Sequence, residues 1–165
     1  MKFLIIIAIM FLFNDPLSAQ VNSKSFRLIL KTILSKDIPK ITVPEAANAS
    51  NHYLFLDARE AKEYNVSHIL HARFVGYKKF NLEGLRPVNK NEPIVVYCSI
   101  GKRSDEITKK LREAGFTNAR NLYGGIFEWV NQGHTVFNSE NIRTDSVHAY
   151  GRFWGQWLDK GTKVY

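Results

Sequence analysis

Cysteine is nearly absent from this chain: Cys98 is the only one among 165 residues. A lone thiol excludes an internal disulfide, so it is either a small buried hydrophobe or a reactive group. The five histidines, at 52, 68, 71, 134 and 148, are dispersed. His68 and His71 lie three apart but no third ligand stands near them, and no metal site is expected. The net charge is +8, yet there is no run of five basic residues and no base-stacking motif, which argues against nucleic acid as a partner. Internal repeats and low-complexity segments are absent too. The longest apolar run, Phe3 to Phe13, has eleven residues, too few for a comfortable membrane span.

That run is nevertheless informative. Met1-Lys2 supplies a positive start, Asn14-Asp15-Pro16 ends the apolar stretch, and Leu17-Ser18-Ala19 offers a small residue at a cleavage position. Residues 1–19 read as a secretory signal peptide, and the chain is expected to be exported, periplasmic or secreted. No cysteine near the cleavage position could carry a lipid. Removal of the leader leaves about 146 residues, enough for one domain with a full core. Lys2 and Asp15 cancel, so the positive charge belongs to the remainder. An unpaired thiol in an oxidising compartment is a liability unless it is shielded or used. Use is the better explanation here.

The surroundings of Cys98 say how. Pro93-Ile94-Val95-Val96-Tyr97 is a short β-branched run that reads as a buried parallel strand. From Asp105 to Ala114, Ile107, Leu111 and Ala114 fall at helical spacing. Acidic residues come first and Lys109, Lys110 and Arg112 late, as a helix macrodipole favours. Gly115 is a natural residue just past the end. Cys98 therefore sits on a strand-to-helix turn, Cys98-Ser99-Ile100-Gly101-Lys102-Arg103-Ser104, whose amides point towards the sulfur. With Lys102 and Arg103 close by, that setting favours the thiolate. A phosphatase loop needs five residues between the cysteine and an arginine; here four separate Cys98 from Arg103, and Ser104 stands where the arginine would fall. The loop suits a single sulfur atom better than a phosphoryl group.

This loop resembles the active-site loop of the rhodanese family, the thiosulfate sulfurtransferases. Two further stretches are similar to the same family, in the same order. Leu56-Asp57-Ala58-Arg59 through Glu63-Tyr64 and His68-Ile69 to Ala72 resembles its Asp-x-Arg and Gly-His-Ile-x-Gly-Ala segments, with Ser67 and His71 where glycines are common. Ala119 to Leu122, Tyr123-Gly124-Gly125 and Ile126 to Val130 resemble the strand, turn and Trp-bearing helix that end the family's core.

The resemblance covers about residues 38–137 and sharpens the expected fold. That fold is α/β and rhodanese-like: a mainly parallel central sheet of about five strands with helices on both faces. It implies a sulfurtransferase in which Cys98 carries a persulfide. Ser99, Ile100, Gly101, Lys102, Arg103 and Ser104 would hold the substrate, with Arg59 approaching from another strand end. Asp57 and His68 would support the site. No cofactor is implied. The partners would be a small anionic sulfur donor, such as thiosulfate, and a thiol or cyanide acceptor. A non-enzymatic partner-binding module is the alternative, disfavoured by the presence of Cys98 and Arg103. A cysteine-dependent phosphatase or arsenate reductase is disfavoured by the loop spacing and the lack of a second cysteine.

Two segments flank this core. In 20–37, Phe26, Ile29, Leu30, Ile33 and Leu34 form one apolar helical face that Pro39 is expected to close. In 138–165, Tyr150, Phe153, Trp154 and Trp157 recur at helical spacing with Gly161 as a stop. The expectation is an aromatic helix docked back on the domain against Phe26 to Leu34.

Overall fold

The computed structural model describes residues 23–165, so the leader assigned to 1–19 lies outside the described residues. In chain order the elements are α1 (Lys24–Ile33), β1 (Lys40–Ile41), α2 (Val43–Asn48), β2 (Leu54–Asp57), α3 (Ala61–Val66), β3 (Arg73–Phe74), β4 (Ile94–Tyr97), α4 (Lys102–Glu113), β5 (Ala119–Leu122), α5 (Gly125–Asn131), β6 (Val136–Phe137), β7 (Arg143–Thr144), β8 (Ser146–His148), α6 (Arg152–Gly155) and β9 (Thr162–Val164). No helix among the described residues is long and apolar enough to cross a membrane.

Five strands form one sheet in the order β1-β5-β4-β2-β3, every neighbouring pair parallel. Parallel strands need a crossover between them, and the intervening helices cover both faces. β4 shows the consequence residue by residue. Ile94 and Val96 point to the face covered by α4, where they join Ile107 and Leu111. Val95 and Tyr97 point to the other, where Phe26, Leu30, Ile126 and Phe127 meet them. All four β4 residues are fully buried, which explains a run of apolar residues without alternation. The parallel register puts Asp57 beside Tyr97, so the chain leaves β2 and β4 at the same edge of the sheet.

Short elements here depend on their caps. The Ser23 side chain accepts the Phe26 amide proton at the start of α1. Thr42 and Glu45 form a reciprocal capping box at α2. α1 stops at Ile33, with Leu34 as its C-cap, well short of the stop expected at Pro39. Of the two positions where glycine is common in similar sequences, only His71 needs a left-handed backbone, with φ 60. Ser67 is extended, at φ −166, and fits any residue.

The C-terminal segment corrects an expectation. No helix runs from Tyr150 to Trp157; α6 has only four residues, and β8 and β9 pair in parallel around it. Tyr150 has φ 63, and its amide donates to His148 Nδ1 at 3.0 Å. Helical geometry therefore cannot begin before Arg152. The rings instead serve separate partners. Trp157 stacks on Phe26 of α1, with centroids 5.4 Å apart and an interplanar angle of 9°. This contact ties the two flanking segments together over the same sheet face.

Phe26 is 1% exposed, so truncation leaves a cavity as well as losing transfer energy. Phe26→Ala is expected to lower unfolding free energy by about 3 kcal/mol in urea titration.

Candidate active site

The turn between β4 and α4 is shaped from three directions. Gly101, the N-cap of α4, adopts φ 109, and its amide donates to Cys98 Sγ at 3.1 Å. From one side, the N-terminus of α5 binds the loop: Ile126 N–H donates to the Cys98 carbonyl at 2.9 Å and Phe127 N–H to the Ser99 carbonyl at 3.1 Å. Gly125 makes that approach possible, because a Cβ there would lie 2.4 Å from the Cys98 carbonyl oxygen, and its φ is +60. From beneath, Asn121 Nδ2 donates to the Gly101 carbonyl at 3.0 Å, and the Ser104 hydroxyl lies within hydrogen-bonding distance of that carbonyl (3.1 Å) and of Asn121 Oδ1 (2.7 Å), with one proton to share between them. With the loop carbonyls engaged, the first-turn amides of α4, at Lys102, Arg103 and Ser104, are donors with no intrahelical acceptor.

Charge is arranged around the third side. Glu63, on α3, receives both terminal nitrogens of Arg103 at 2.7 Å, and Ser99 Oγ donates to it at 3.1 Å. Arg103 Nη2 also donates to Ser99 Oγ at 3.0 Å. Burial opposes the Glu63 charge, but the Arg103 hydrogen bonds and charge prevail and pull its pKa down to about 2. Burial likewise works against the Arg103 cation, yet Glu63 holds its pKa above the ordinary range. Lys102 pairs with Glu106 at 3.1 Å near the surface, and Glu106 accepts from Tyr77 as well.

Cys98, Ser99, Ile100, Lys102 and Arg103 line one cavity of about 120 Å³ together with Tyr150 and Trp154. Cys98 is 1% exposed, and among the described residues it contributes to the lining of this cavity. The cavity is smaller than the ~300–1,000 Å³ of pockets for drug-sized ligands.

Two expected substrate contacts need correction. Arg59 is completely buried, and its guanidinium is held by Asp57, at 2.6 Å from Oδ2, and by the Ser67 carbonyl at 2.5 Å. It joins two loops and does not line the cavity. Ser104 is also fully buried, and its hydroxyl braces the Gly101 carbonyl. Both residues lie at the right end of the sheet but face the wrong way, which strand order alone does not reveal. Gly101 acts through its amide; its Cα faces Leu34, whose Cδ2 would lie 3.4 Å from an added Cβ. Asp57 takes the Arg59 amide and side chain. His68 stacks on Tyr64 at 4.0 Å, and its backbone bridges to Phe137.

Glu63, Asn121, Tyr150 and Trp154 complete the site without having been assigned to it from sequence. Glu63 lies at the third position of a short helix, where an acidic residue is ordinarily a cap, and it does accept the Glu60 amide. The two rings were read as part of a packing face.

A rhodanese-like domain model matches residues 42–132, and the chain belongs to that family. The chain is 35% identical over 78 residues to the probable adenylyltransferase/sulfurtransferase MoeZ of Mycobacterium tuberculosis, covering 47% of this chain and 20% of that protein. It is 28% identical over 128 residues to rhodanese-like domain-containing protein 17 of Arabidopsis thaliana, covering 67% and 82%. The chain thus spans about a fifth of the first of these relatives. Among solved structures, a rhodanese-like domain protein from Staphylococcus aureus aligns with a TM-score of 0.51 at 26% identity, covering 56% of this chain and 91% of that one. A thiosulfate sulfurtransferase from Pseudomonas aeruginosa aligns with a TM-score of 0.57 at 20% identity, covering 76% and 24%, a likeness of fold.

The pH dependence follows from Glu63. A folded pKa of about 2 against an ordinary 4.5 gives stability that is present above pH 4.5 and lost as pH falls towards 2, about 3 kcal/mol in all. Glu63→Gln should abolish that acid-limb slope and lower stability at pH 7, read by urea unfolding between pH 2 and 7.

Proposed function

We propose that the protein is a sulfurtransferase that moves a sulfane sulfur from thiosulfate or a similar donor to a thiophilic acceptor through a Cys98 persulfide. The observation that carries this reading is the position of Cys98 Sγ. It accepts the Gly101 amide at the N-terminus of α4, at the floor of a cavity sized for a small group.

In the first step the Cys98 thiolate attacks the outer sulfur of the donor. A new S–S bond forms, the donor's own S–S bond breaks, and its electron pair departs with sulfite when thiosulfate is used. The terminal sulfur of the persulfide then lies among the first-turn amides of α4, which, with the helix dipole, stabilise its negative charge. In the second step an acceptor, a thiol or cyanide, attacks that sulfur and the thiolate is regenerated. Arg103 cannot swing freely, because Glu63 and Ser99 fix its guanidinium; it serves as a positioned donor at the cavity wall. No cofactor enters either step. The sequence of 1–19 supports placing this chemistry outside the cytoplasm, with no membrane span after cleavage.

Two-step transfer of this kind predicts a covalent intermediate and ping-pong kinetics. Intact mass of the thiosulfate-treated protein should show one added sulfur atom that a reductant removes. Cys98→Ser should show neither that adduct nor thiocyanate formation, while unfolding at an unchanged midpoint. Undiminished thiocyanate formation by the serine variant would refute the mechanism. A wild-type protein that never gains sulfur would be a binding module instead.

A further inference from the structure

The family model ends at residue 132, yet Tyr150 and Trp154, well beyond it, line the cavity that holds Cys98. They are carried there by a built structure. β8 packs against α3, the helix that bears Glu63, and Val147 and Ala149 are completely buried. The left-handed turn at Tyr150, with its amide on His148 Nδ1, directs the ring to Arg103, whose guanidinium carbon lies 4.7 Å from the ring centroid. Tyr150 remains 52% exposed, so the rings stand at the mouth of the cavity and do not seal it.

The charges point the same way. Arg103 is matched by Glu63 and Lys102 by Glu106, so the two cations that line the cavity each have a carboxylate partner. A doubly charged inorganic donor therefore meets little net positive field, whereas an apolar group entering beside it meets two aromatic rings.

We propose that Tyr150 and Trp154 form a subsite for the organic group of the sulfur donor, selecting a singly charged aryl or alkyl thiosulfonate over inorganic thiosulfate. This deepens the sulfur-transfer reading and depends on it. The step balances: the Cys98 thiolate takes the outer sulfur of R–SO₂–S⁻, and an S–S bond forms as the donor's S–S bond breaks. The electron pair leaves with the sulfinate R–SO₂⁻, whose R group rests against the rings. The persulfide and sulfinate together carry the two negative charges of the reactants.

Benzenethiosulfonate and thiosulfate, compared with cyanide as common acceptor, test this directly. Wild type should favour the aryl donor at least tenfold in kcat/KM. Trp154→Ala and Tyr150→Ala should each reduce that ratio at least fivefold, while Trp154→Phe and Tyr150→Phe, which keep a ring, retain most of it. An equal fall for both donors in the alanine variants, or a wild-type ratio at or below one, overturns the subsite; the wild-type ratio needs no variant to fold. Absence of turnover with either donor in wild type is a different result, and it overturns the underlying sulfur transfer.

Discussion

The site depends on one contact, the approach of the α5 N-terminus to the Cys98 loop. Two α5 amides hold the Cys98 and Ser99 carbonyls, and the glycine at 125 leaves no side chain in the way. With those carbonyls turned away, the loop's remaining N–H groups and the start of α4 are left for the sulfur. Both helices present their positive ends to one turn, and the intervening backbone satisfies one of them while the cysteine side chain faces the other. Ser104 and Asn121 complete the brace by gripping the Gly101 carbonyl. A buried polar cluster of this kind is favourable because its members are paired.

Glu63 is the second organising element. One carboxylate fixes Arg103, receives Ser99 and closes the cap of its own helix through the Glu60 amide. It converts a mobile cation into a wall of the cavity. The same pairing places a carboxylate against the Arg103 charge at the cavity wall. Asp57 and Arg59 do comparable work one strand away, where a wholly buried ion pair fixes the loop after β2.

Much of this was legible in the residues. Val95 and Val96 could be read as a buried strand because β-branched residues without alternation fit a sheet covered on both sides. Cys98 could be placed on a strand-to-helix turn because the acidic-to-basic order of Asp105 to Arg112 marks the helix that follows. Side-chain direction was not legible. Arg59 and Ser104 lie near Cys98 in the fold, but local backbone geometry turns both inward, and no spacing rule encodes that turn. The aromatic periodicity from Tyr150 to Trp157 misled for a related reason. A short helix between two strands can bring rings at those intervals to different partners, so Trp157 reaches Phe26, Trp154 reaches the cavity and Phe153 faces solvent.

Sulfur transfer at this site requires a Cys98 turn already shaped to hold one extra sulfur. A crystal structure of the thiosulfate-treated protein tests it most directly. The expected result is a second sulfur on Cys98 Sγ, within hydrogen-bonding reach of the Lys102 or Arg103 amide, with the Cys98 and Ser99 carbonyls still bound to α5. A loop that must rearrange to accept the sulfur, or a Cys98 that carries none, would contradict it.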